Sequence, residues 1–374
     1  MARGYQKICE AIAQNDIASV KTELAANPQI AAHWKPLCDA AFHGNVASIE
    51  LLLDAGADPN QKSGTASRHT PLTRVAQYHK TIPRHERHVE AMKLLLDRGA
   101  NPSVPAGPLN VSPVVYSTVG PQIAFTDVLR DHGGAGDIFA AAALNDLGAI
   151  KSFLENSKSS DLIDHLNRTP LHFVCLSGMW RQGASTQSIA CAEILLEHGV
   201  AIDAMQEIPD AGEVFHANAL WYAVAYSQNI DLIDYLLNLG STPQPSAFAA
   251  TYGGDDQIIE LLHKHGVDWN AKFGGYTPLQ ELLNYRKTKL IKWLLDHGAS
   301  VNERDPDGRT ALHIAAMRGL KSDSLQALLD HGADPKLKDP DGNTPMDLAV
   351  ANNRLAAAEF LRTHTRHAEN SQPD

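Results

Sequence analysis

Long apolar runs, aromatic side chains and paired cysteines are all scarce in this chain of 374 residues. No run of about 18 apolar residues occurs, so no segment is predicted to span a membrane. The first residues, MARGYQKICEAIAQND, are amphipathic and lack the apolar core of a secretory signal, so we expect a cytoplasmic protein. The four cysteines, Cys9, Cys38, Cys175 and Cys191, have no CxxC spacing and lie in apolar, helix-patterned stretches, which predicts buried, reduced thiols.

Positive charge is also in short supply. Lys and Arg number 32 against 43 Asp and Glu, which gives a net charge of −11 and argues against general binding to a phosphate backbone. The sequence contains no GxGxxG opening a helix after a strand, no GxxxxGK[ST] and no GxSxG, so neither a nucleotide cradle nor a nucleophile elbow is predicted. Apolar residues make up 44%, as in a folded chain.

Two short phrases recur along the chain, and repeats of this kind decide the fold before any other argument. The first phrase occurs as LLLDAGADPN (51–60), LLLDRGANPS (94–103), LLDHGASVN (294–302) and LLDHGADPK (328–336). The second phrase occurs as TPLT (70–73), TPLH (169–172), TPLQ (277–280), TALH (310–313) and TPMD (344–347). Together they predict a repeated unit.

Each phrase has a clear physical role. Thr can cap a helix, and Pro in the first helical position loses no needed N–H group, so the second phrase opens a helix. The first phrase closes another helix at a Gly such as Gly332, and turns of sequence DPDG follow at 305–308 and 339–342. A single helix pair could not bury its apolar face, so the units must stack.

This pattern resembles the ankyrin repeat, a β-turn followed by two antiparallel helices. The resemblance implies an all-α repeat solenoid of stacked helix-turn-helix units with short β-type turn fingers. We place one solenoid over 5–362 and a disordered polar tail over 363–374. The predicted units start near residues 7, 36, 71, 113, 137, 170, 219, 246, 278, 311 and 345.

The spacing of the units is uneven. Extra residues lie around 79–88 and 177–188, between the helices of a unit, and around 205–217, between units. The turns before Asp137 and Ser246 are too short for a full finger. Insertions in a solenoid often belong to a binding face, although surface loops also simply tolerate them.

Histidine, present 18 times, invites a metal or catalytic interpretation that its positions do not support. The resemblance implies that His172 and His313 hydrogen-bond neighbouring turns. A second group lies at or just before the glycines that end helices, where a donor satisfies terminal carbonyls: His132, His198, His265, His297 and His331. The HERH segment at 85–88 lacks the HExxH spacing of zinc sites, and the DPDG turns lack the later Glu of a calcium loop.

Partner-binding residues follow from the resemblance, because two residues near the end of each first helix face the groove in that family. They lie six and seven positions beyond the register residue, and the ones we select are Phe42, His43, Tyr78, Tyr226, Tyr252, Tyr285, Met317 and Arg318. Trp269, in an adjacent turn finger, could flank the same surface. Aromatics make up only 6% of the chain, so the recurrence of Tyr at this position indicates a binding surface. Alternatively, some of these rings pack between neighbouring first helices.

The sequence therefore predicts a scaffold that binds another protein through the concave groove and the turn fingers, without catalysis. A narrower alternative is an inhibitor or immunity-type protein that occludes a basic partner, since the net charge of −11 would steer that encounter. An enzyme or a metal protein built on the insertions is a third, weaker alternative. We expect a monomer that has no cofactor or metal and binds neither nucleic acid nor membrane.

Overall fold

The computed structural model describes residues 5–77, 86–120, 123–156, 162–183, 185–210 and 213–370. It divides the chain into two compact units, Met1–Ala204 (unit 1) and Met205–Asp374 (unit 2). The sequence had suggested one repeat domain over 5–362. The division falls where the insertion at 205–217 separates two helix pairs.

The described residues of unit 1 form six helix pairs, in which odd numbers denote first helices and even numbers denote second helices. The pairs are α1 (Gln6–Ala13) and α2 (Ile17–Ala26), α3 (Trp34–His43) and α4 (Val46–Asp54), α5 (Pro71–Ala76) and α6 (Glu86–Asp97), α7 (Pro113–Val119) and α8 (Ile123–Asp131), α9 (Ile138–Ala143) and α10 (Leu147–Asn156), and α11 (Pro170–Leu176) and α12 (Ser185–Glu197). Short 3₁₀ turns lie at Pro28–Ala32 and Met179–Gln182.

In the part of unit 2 that the structure describes, an antiparallel hairpin is followed by five helix pairs. The elements are β1 (Gln206–Asp210) and β2 (Glu213–Ala217), α13 (Ala219–Tyr222) and α14 (Ile230–Asn238), α15 (Ala247–Gly253) and α16 (Asp256–Lys264), α17 (Pro278–Asn284) and α18 (Ile291–Asp296), α19 (Ala311–Arg318) and α20 (Ser322–Asp330), and α21 (Pro345–Ala351) and α22 (Leu355–Asn370). A π-helical turn, Ala223–Ser227, extends α13, and a 3₁₀ turn, Gln244–Ser246, precedes α15.

The helical repeat fold predicted from the sequence is confirmed. Each first helix begins within two residues of a predicted unit start. The insertion at 205–217 forms the hairpin, in which Ile208 lies opposite Phe215. Most of the insertion at 79–88 lies outside the described residues.

The end of the chain differs from the prediction of a disordered tail after residue 362. Helix α22 continues to Asn370, whereas 371–374 lie outside the described residues. The His364 ring stacks on Phe360, with ring centroids 4.2 Å apart, and its Nε2 lies 2.7 Å from Oε1 of Gln326 on α20. The sequence of the tail did not show this contact, because its partner lies 38 residues earlier.

The Thr-Pro phrases fold as capping boxes, which explains why helices begin there. In α17, Oγ1 of Thr277 accepts from the Gln280 N–H (3.3 Å), and Oε1 of Gln280 accepts from the Thr277 N–H (2.9 Å). The same reciprocal bonding occurs at Thr70, Thr169, Thr310 and Thr344, so all five phrases work alike.

Amide side chains connect successive turns in unit 2. Asn302 donates from Nδ2 to the Gly332 carbonyl (2.9 Å) and accepts at Oδ1 from the Asp334 N–H (3.2 Å). Asn270 and Gln244 make equivalent pairs of bonds with the turns that follow them. Each amide thus imitates a strand pairing between adjacent repeats, which fixes their spacing.

The core of each unit consists of aliphatic side chains and alanines. In unit 2, Leu279, Leu312 and Ile314 on the first helices are fully buried, as are Leu294 and Leu328 on the second helices. Burying one such side chain contributes about 1.5–3 kcal/mol. Small residues such as Ala315 and Ala316 allow first helices to approach closely, which leaves their C-terminal ends to carry larger, exposed side chains.

Candidate functional site

Two exposed tyrosines lie at the C-terminal ends of consecutive first helices in unit 2. Tyr252 on α15 is 40% exposed, and Tyr285 at the end of α17 is 63% exposed. Their rings pack edge to face with centroids 5.5 Å apart. The structure therefore brings these two predicted residues together on one surface rather than in the core.

Polar neighbours hold the Tyr252 ring in place. Its hydroxyl donates to Oε2 of Glu281 (2.9 Å). Burial, followed by the bond to Glu281, raises the pKa of Tyr252, so the hydroxyl stays a donor. Nζ of Lys287 lies 4.3 Å from the ring centroid and donates to the Tyr252 carbonyl (3.0 Å). Because the ring is already ordered, a partner would lose little side-chain entropy in covering it.

Arg318 and Met317 extend this surface by one helix. Arg318, at the end of α19, is exposed and donates to Oδ1 of Asn284 (3.3 Å), the residue before Tyr285. Met317 is half-buried, and its sulfur accepts from NH1 of Arg309 (3.7 Å). Arg318 thus lies beside the tyrosine pair. Met317 is less available to a partner, because its sulfur already contacts Arg309 of the preceding turn.

Tyr226 belongs to a different aromatic group. It lies in the π-helical turn, is half-buried and contacts Trp221 and Tyr222, both at centroid distances of 5.8 Å. The turn arises because the Gln228 N–H donates to the Ala223 carbonyl five residues earlier (2.7 Å). We name the set Tyr226, Tyr252, Tyr285, Met317 and Arg318 the groove stripe.

The suggestion that Trp269 flanks this surface was wrong. Trp269 is only 3% exposed, packs edge to face against Trp293 (5.5 Å) and donates from Nε1 to Nδ1 of His263 (3.3 Å). It is a core residue between second helices. The sequence could not show this, because Trp293 comes from the following helix pair.

The remaining predicted residues belong to unit 1. Phe42 and His43, at the end of α3, are half-buried and contact each other at 5.3 Å. The Arg74 guanidinium lies 4.2 Å above the Phe42 ring, so this ring is largely covered within the protein. Tyr78 lies outside the described residues.

Sequence reasoning missed an aromatic group beside the hairpin. Phe215 of β2 contacts Trp221 (5.5 Å) and Phe273 (5.2 Å), and Phe273 in turn contacts Phe248 (6.1 Å). All four rings are half-buried. Alternation in the segment EVFHA was an available signal for β2, but the meeting of these rings requires the tertiary fold.

Most candidate chemical groups have structural roles. Four histidines donate from Nδ1 to the carbonyl four residues earlier at 2.7–2.8 Å, which confirms their predicted place at helix ends: His132, His198, His297 and His331. In the turns, Asp305 accepts from the N–H groups of Asp307 (3.0 Å) and Arg309 (2.8 Å). Asp164 shows the same pattern with Leu166 and Arg168, although its turn lacks Pro.

The four cysteines are free and buried, as predicted. Burial raises the pKa of the thiols of Cys9, Cys38 and Cys191 to about 12, so they are poor nucleophiles. The described residues contain no group of three or more His, Cys, Asp or Glu side chains that could hold a metal ion. None of the helices in the described ranges is both long and apolar enough to cross a membrane.

Matches to family models agree with this repeat architecture. A family model described as ankyrin repeats (3 copies) matches residues 138–247, 246–339 and 282–374, and the single ankyrin repeat model matches 33–64. The solved structure of the human ASB11 ankyrin repeat domain is 25% identical and covers 60% of this chain and 96% of that chain, with a TM-score of 0.47.

Similar curated proteins come from distant organisms. The BTB/POZ domain and ankyrin repeat-containing protein NPR3 of Oryza sativa is 38% identical over 24% of this chain and 16% of its own length. Ankyrin repeat protein nuc-2 of Neurospora crassa is 24% identical over 51% of this chain and 14% of its own length. A putative ankyrin repeat protein of Rickettsia bellii is 34% identical over 26% of this chain and 41% of its own length. The matches thus span less than half the length of each of these relatives.

Ankyrin repeats generally mediate protein–protein interaction, and proteins built from them are typically scaffolds rather than enzymes. The matched segments, 33–64 and 138–374, cover more than half of the sequence. The chain belongs to the ankyrin repeat family.

Proposed function

We propose that this chain is a non-catalytic scaffold that binds a partner protein at the groove stripe of unit 2. The observation that carries the proposal is the exposed edge-to-face pair of Tyr252 and Tyr285 at the ends of neighbouring first helices. Tyrosine gives large contact area with few rotatable bonds, which is why protein interfaces are enriched in it. Arg318, beside the pair, adds a second side chain that interfaces favour.

The remaining chemistry supports a binding role over catalysis. The cysteines are buried, and the carboxylates of the turns accept backbone N–H groups that shape those turns. We further propose a monomer in the cytoplasm. The four free, buried thiols support a reducing compartment, and gel filtration with cell fractionation would test both points.

Partner capture followed by measured affinity tests the proposed function. Proteins captured by the purified chain would be identified, and the dissociation constant of the strongest would be measured for the parent and for variants Tyr252→Ala and Tyr285→Ala. Removing a central interface aromatic costs about 2 kcal/mol, roughly thirtyfold in affinity. Both variants should keep nearly the parent melting temperature, since both rings are exposed.

Leu239→Ala is the matched control. Leu239 is 52% exposed at the end of the second helix α14, away from the first-helix ends, so its loss should leave affinity unchanged. Unchanged affinity in both tyrosine variants would refute the proposal. So would an equal loss in Leu239→Ala, because the effect would then reflect any exposed apolar side chain.

A further inference from the structure

Positive charge is concentrated beside the exposed tyrosines, although unit 2 is acidic as a whole. Over residues 205–374 there are 23 Asp and Glu against 15 Lys and Arg, a net charge of −8. Yet exposed cations lie at or just after the C-terminal ends of the first helices in the last three pairs, and we name them the cation row: Arg286, Lys287, Arg318 and Arg354.

The cation row lacks ion pairs within the described part of the chain. None of its four members lies within salt-bridge distance of a described carboxylate. Turn cations of the same unit differ, because Lys272 pairs with Glu303 (2.8 Å) and Arg309 with Asp305 (2.9 Å). The neighbouring carboxylate of Glu281 is engaged by the Tyr252 hydroxyl. The row therefore presents cations that make no ion pair with a described carboxylate, while the negative charge of Glu281 remains nearby.

Contacts with the preceding helix fix where these cations lie. Lys287 donates to the Tyr252 carbonyl (3.0 Å), and Arg354 donates from Nε to the Met317 carbonyl (3.3 Å). Each cation thereby sits at the negative end of a helix dipole, which is a stabilising arrangement by itself. Arg354 uses only Nε in that bond, and a guanidinium carries four further N–H donors. Lys287, Arg318 and Arg354 are therefore anchored by these bonds and can still donate outward.

We infer that the groove stripe binds an acidic, extended segment of the partner through the cation row, an inference that rests on the proposed function. Neighbouring packed helices lie about 8–10 Å apart, so we expect that spacing between the three positions of the row, which hold Arg286 with Lys287, then Arg318, then Arg354. A polyproline II segment rises about 3.1 Å per residue with three residues per turn, so every third side chain recurs on one face at about 9 Å. The segment therefore carries an acidic residue at every third position.

Charge signs distinguish this segment from other ligands. A basic segment, which the total charge of −11 alone would favour, would meet four like charges at this surface. The net charge of −8 on unit 2 repels any anion at long range, and it opposes a single-stranded nucleic acid, which carries a phosphate at every nucleotide, more than a segment with one acidic residue in three.

Synthetic peptides test the inference directly on the full chain. A fluorescein-labelled (Asp-Pro-Pro)₄ peptide would be titrated by fluorescence anisotropy, beside an isomer with its four Asp residues adjacent and a (Lys-Pro-Pro)₄ peptide. The spaced acidic peptide should bind several-fold more tightly than its isomer, and its affinity should fall as salt rises. The lysine peptide and labelled (dT)₁₂ should bind more weakly.

Variants identify the side chains responsible. The double change Arg318→Gln and Arg354→Gln should weaken the spaced acidic peptide by about tenfold, since an exposed charge pair is worth up to about fivefold. Lys292→Gln, an exposed cation on the second helix α18, is the control and should have no effect. The pair Arg318→Glu and Arg354→Glu should instead favour the lysine peptide, which a purely structural role for these arginines would not produce.

Four results would overturn the inference: no binding of the spaced acidic peptide, equal binding of its isomer, tighter binding of (dT)₁₂, or affinity unaffected by the arginine changes. Each of these leaves the proposed function standing if Tyr252→Ala still weakens partner binding by roughly thirtyfold. Conversely, arginine-dependent peptide binding together with unchanged partner capture by the tyrosine variants would refute the proposed function.

Discussion

His313 offers a sharp test of how adjacent repeats are joined. It is fully buried at the third position of α19. Its Nδ1 accepts from the Thr310 N–H (3.2 Å), and its Nε2 donates to the Asn343 carbonyl in the next turn (3.1 Å). His313→Leu removes both bonds, together with the 2.8 Å contact between Nδ1 and the Thr310 hydroxyl, and leaves an apolar side chain of similar size in the buried position.

The expected loss follows from the two backbone groups left without partners, because the Thr310 hydroxyl still accepts from the backbone N–H of residue 313. Each buried group without a partner costs about 1–3 kcal/mol, and the half-buried Asn343 carbonyl lies at the low end of that range. A total of about 3 kcal/mol should lower the melting temperature by roughly 6–12 °C for a unit of this size. His313→Gln should lose less than about 1 kcal/mol, because an amide can make the same two bonds. Gln280 already does so in α17, with Thr277 (2.9 Å) and the Glu303 carbonyl (2.8 Å).

Acidification adds a second signature. Burial lowers the pKa of His313 from 6.5, so the unfolded chain binds its proton more readily than the folded one. The stability from the neutral imidazole is therefore complete above about pH 6.5 and is lost as the pH falls through the lower pKa of the folded state. His313→Gln lacks this titration. Urea unfolding at pH 7.5 and pH 5.5 should show the parent losing more stability than the Gln variant.

Two outcomes would refute this account of His313. If the Gln variant is as unstable as the Leu variant, then the shape of the side chain, rather than its hydrogen bonds, determines how much residue 313 contributes to stability. If parent and Gln variant lose equal stability between the two pH values, the imidazole does not titrate differently in the folded state. The urea transitions of the parent and the variants should have equal slopes, because a shifted midpoint at constant slope reports a change in stability alone.

Three further predictions concern the repeats. Asn302→Asp loses the donor to the Gly332 carbonyl and should cost about 1 kcal/mol, seen as a drop of roughly 2–4 °C in melting temperature; an unchanged melting temperature would contradict the role of the amide. Deleting 345–374 should expose the apolar face of α19 and cause aggregation, which light scattering would detect; a truncated chain that stays unaggregated would show that α21 and α22 are not a cap. Hydrogen exchange should be faster in α9, which follows a short turn, than in α19, and equal protection would count against a weaker junction there.

Local chemistry alone determined where the helices begin. A Thr cap, a Pro in the first turn and a polar third residue make a complete capping box within four residues, so Thr277 and Gln280 needed no distant partner. For the same reason the turn carboxylates and four of the five histidines at helix ends were assigned correctly, whereas the buried Nε2 of His265 has no hydrogen-bond partner among the described residues. The register set by these phrases also placed Tyr252 and Tyr285 at the exposed ends of first helices.

Only the tertiary structure decided which side chains are buried, paired or brought together. Trp269 became a core residue because Trp293, from the next pair, covers it. The insertion at 205–217 became a hairpin at the start of a second compact unit, and its Phe215 joined an aromatic group with Phe273. The cation row depends on contacts such as that of Arg354 with the Met317 carbonyl, 37 residues apart. Local motifs therefore determine the structure of each repeat. The binding surface depends on stacking, because stacking brings together residues that lie about one repeat apart in the sequence.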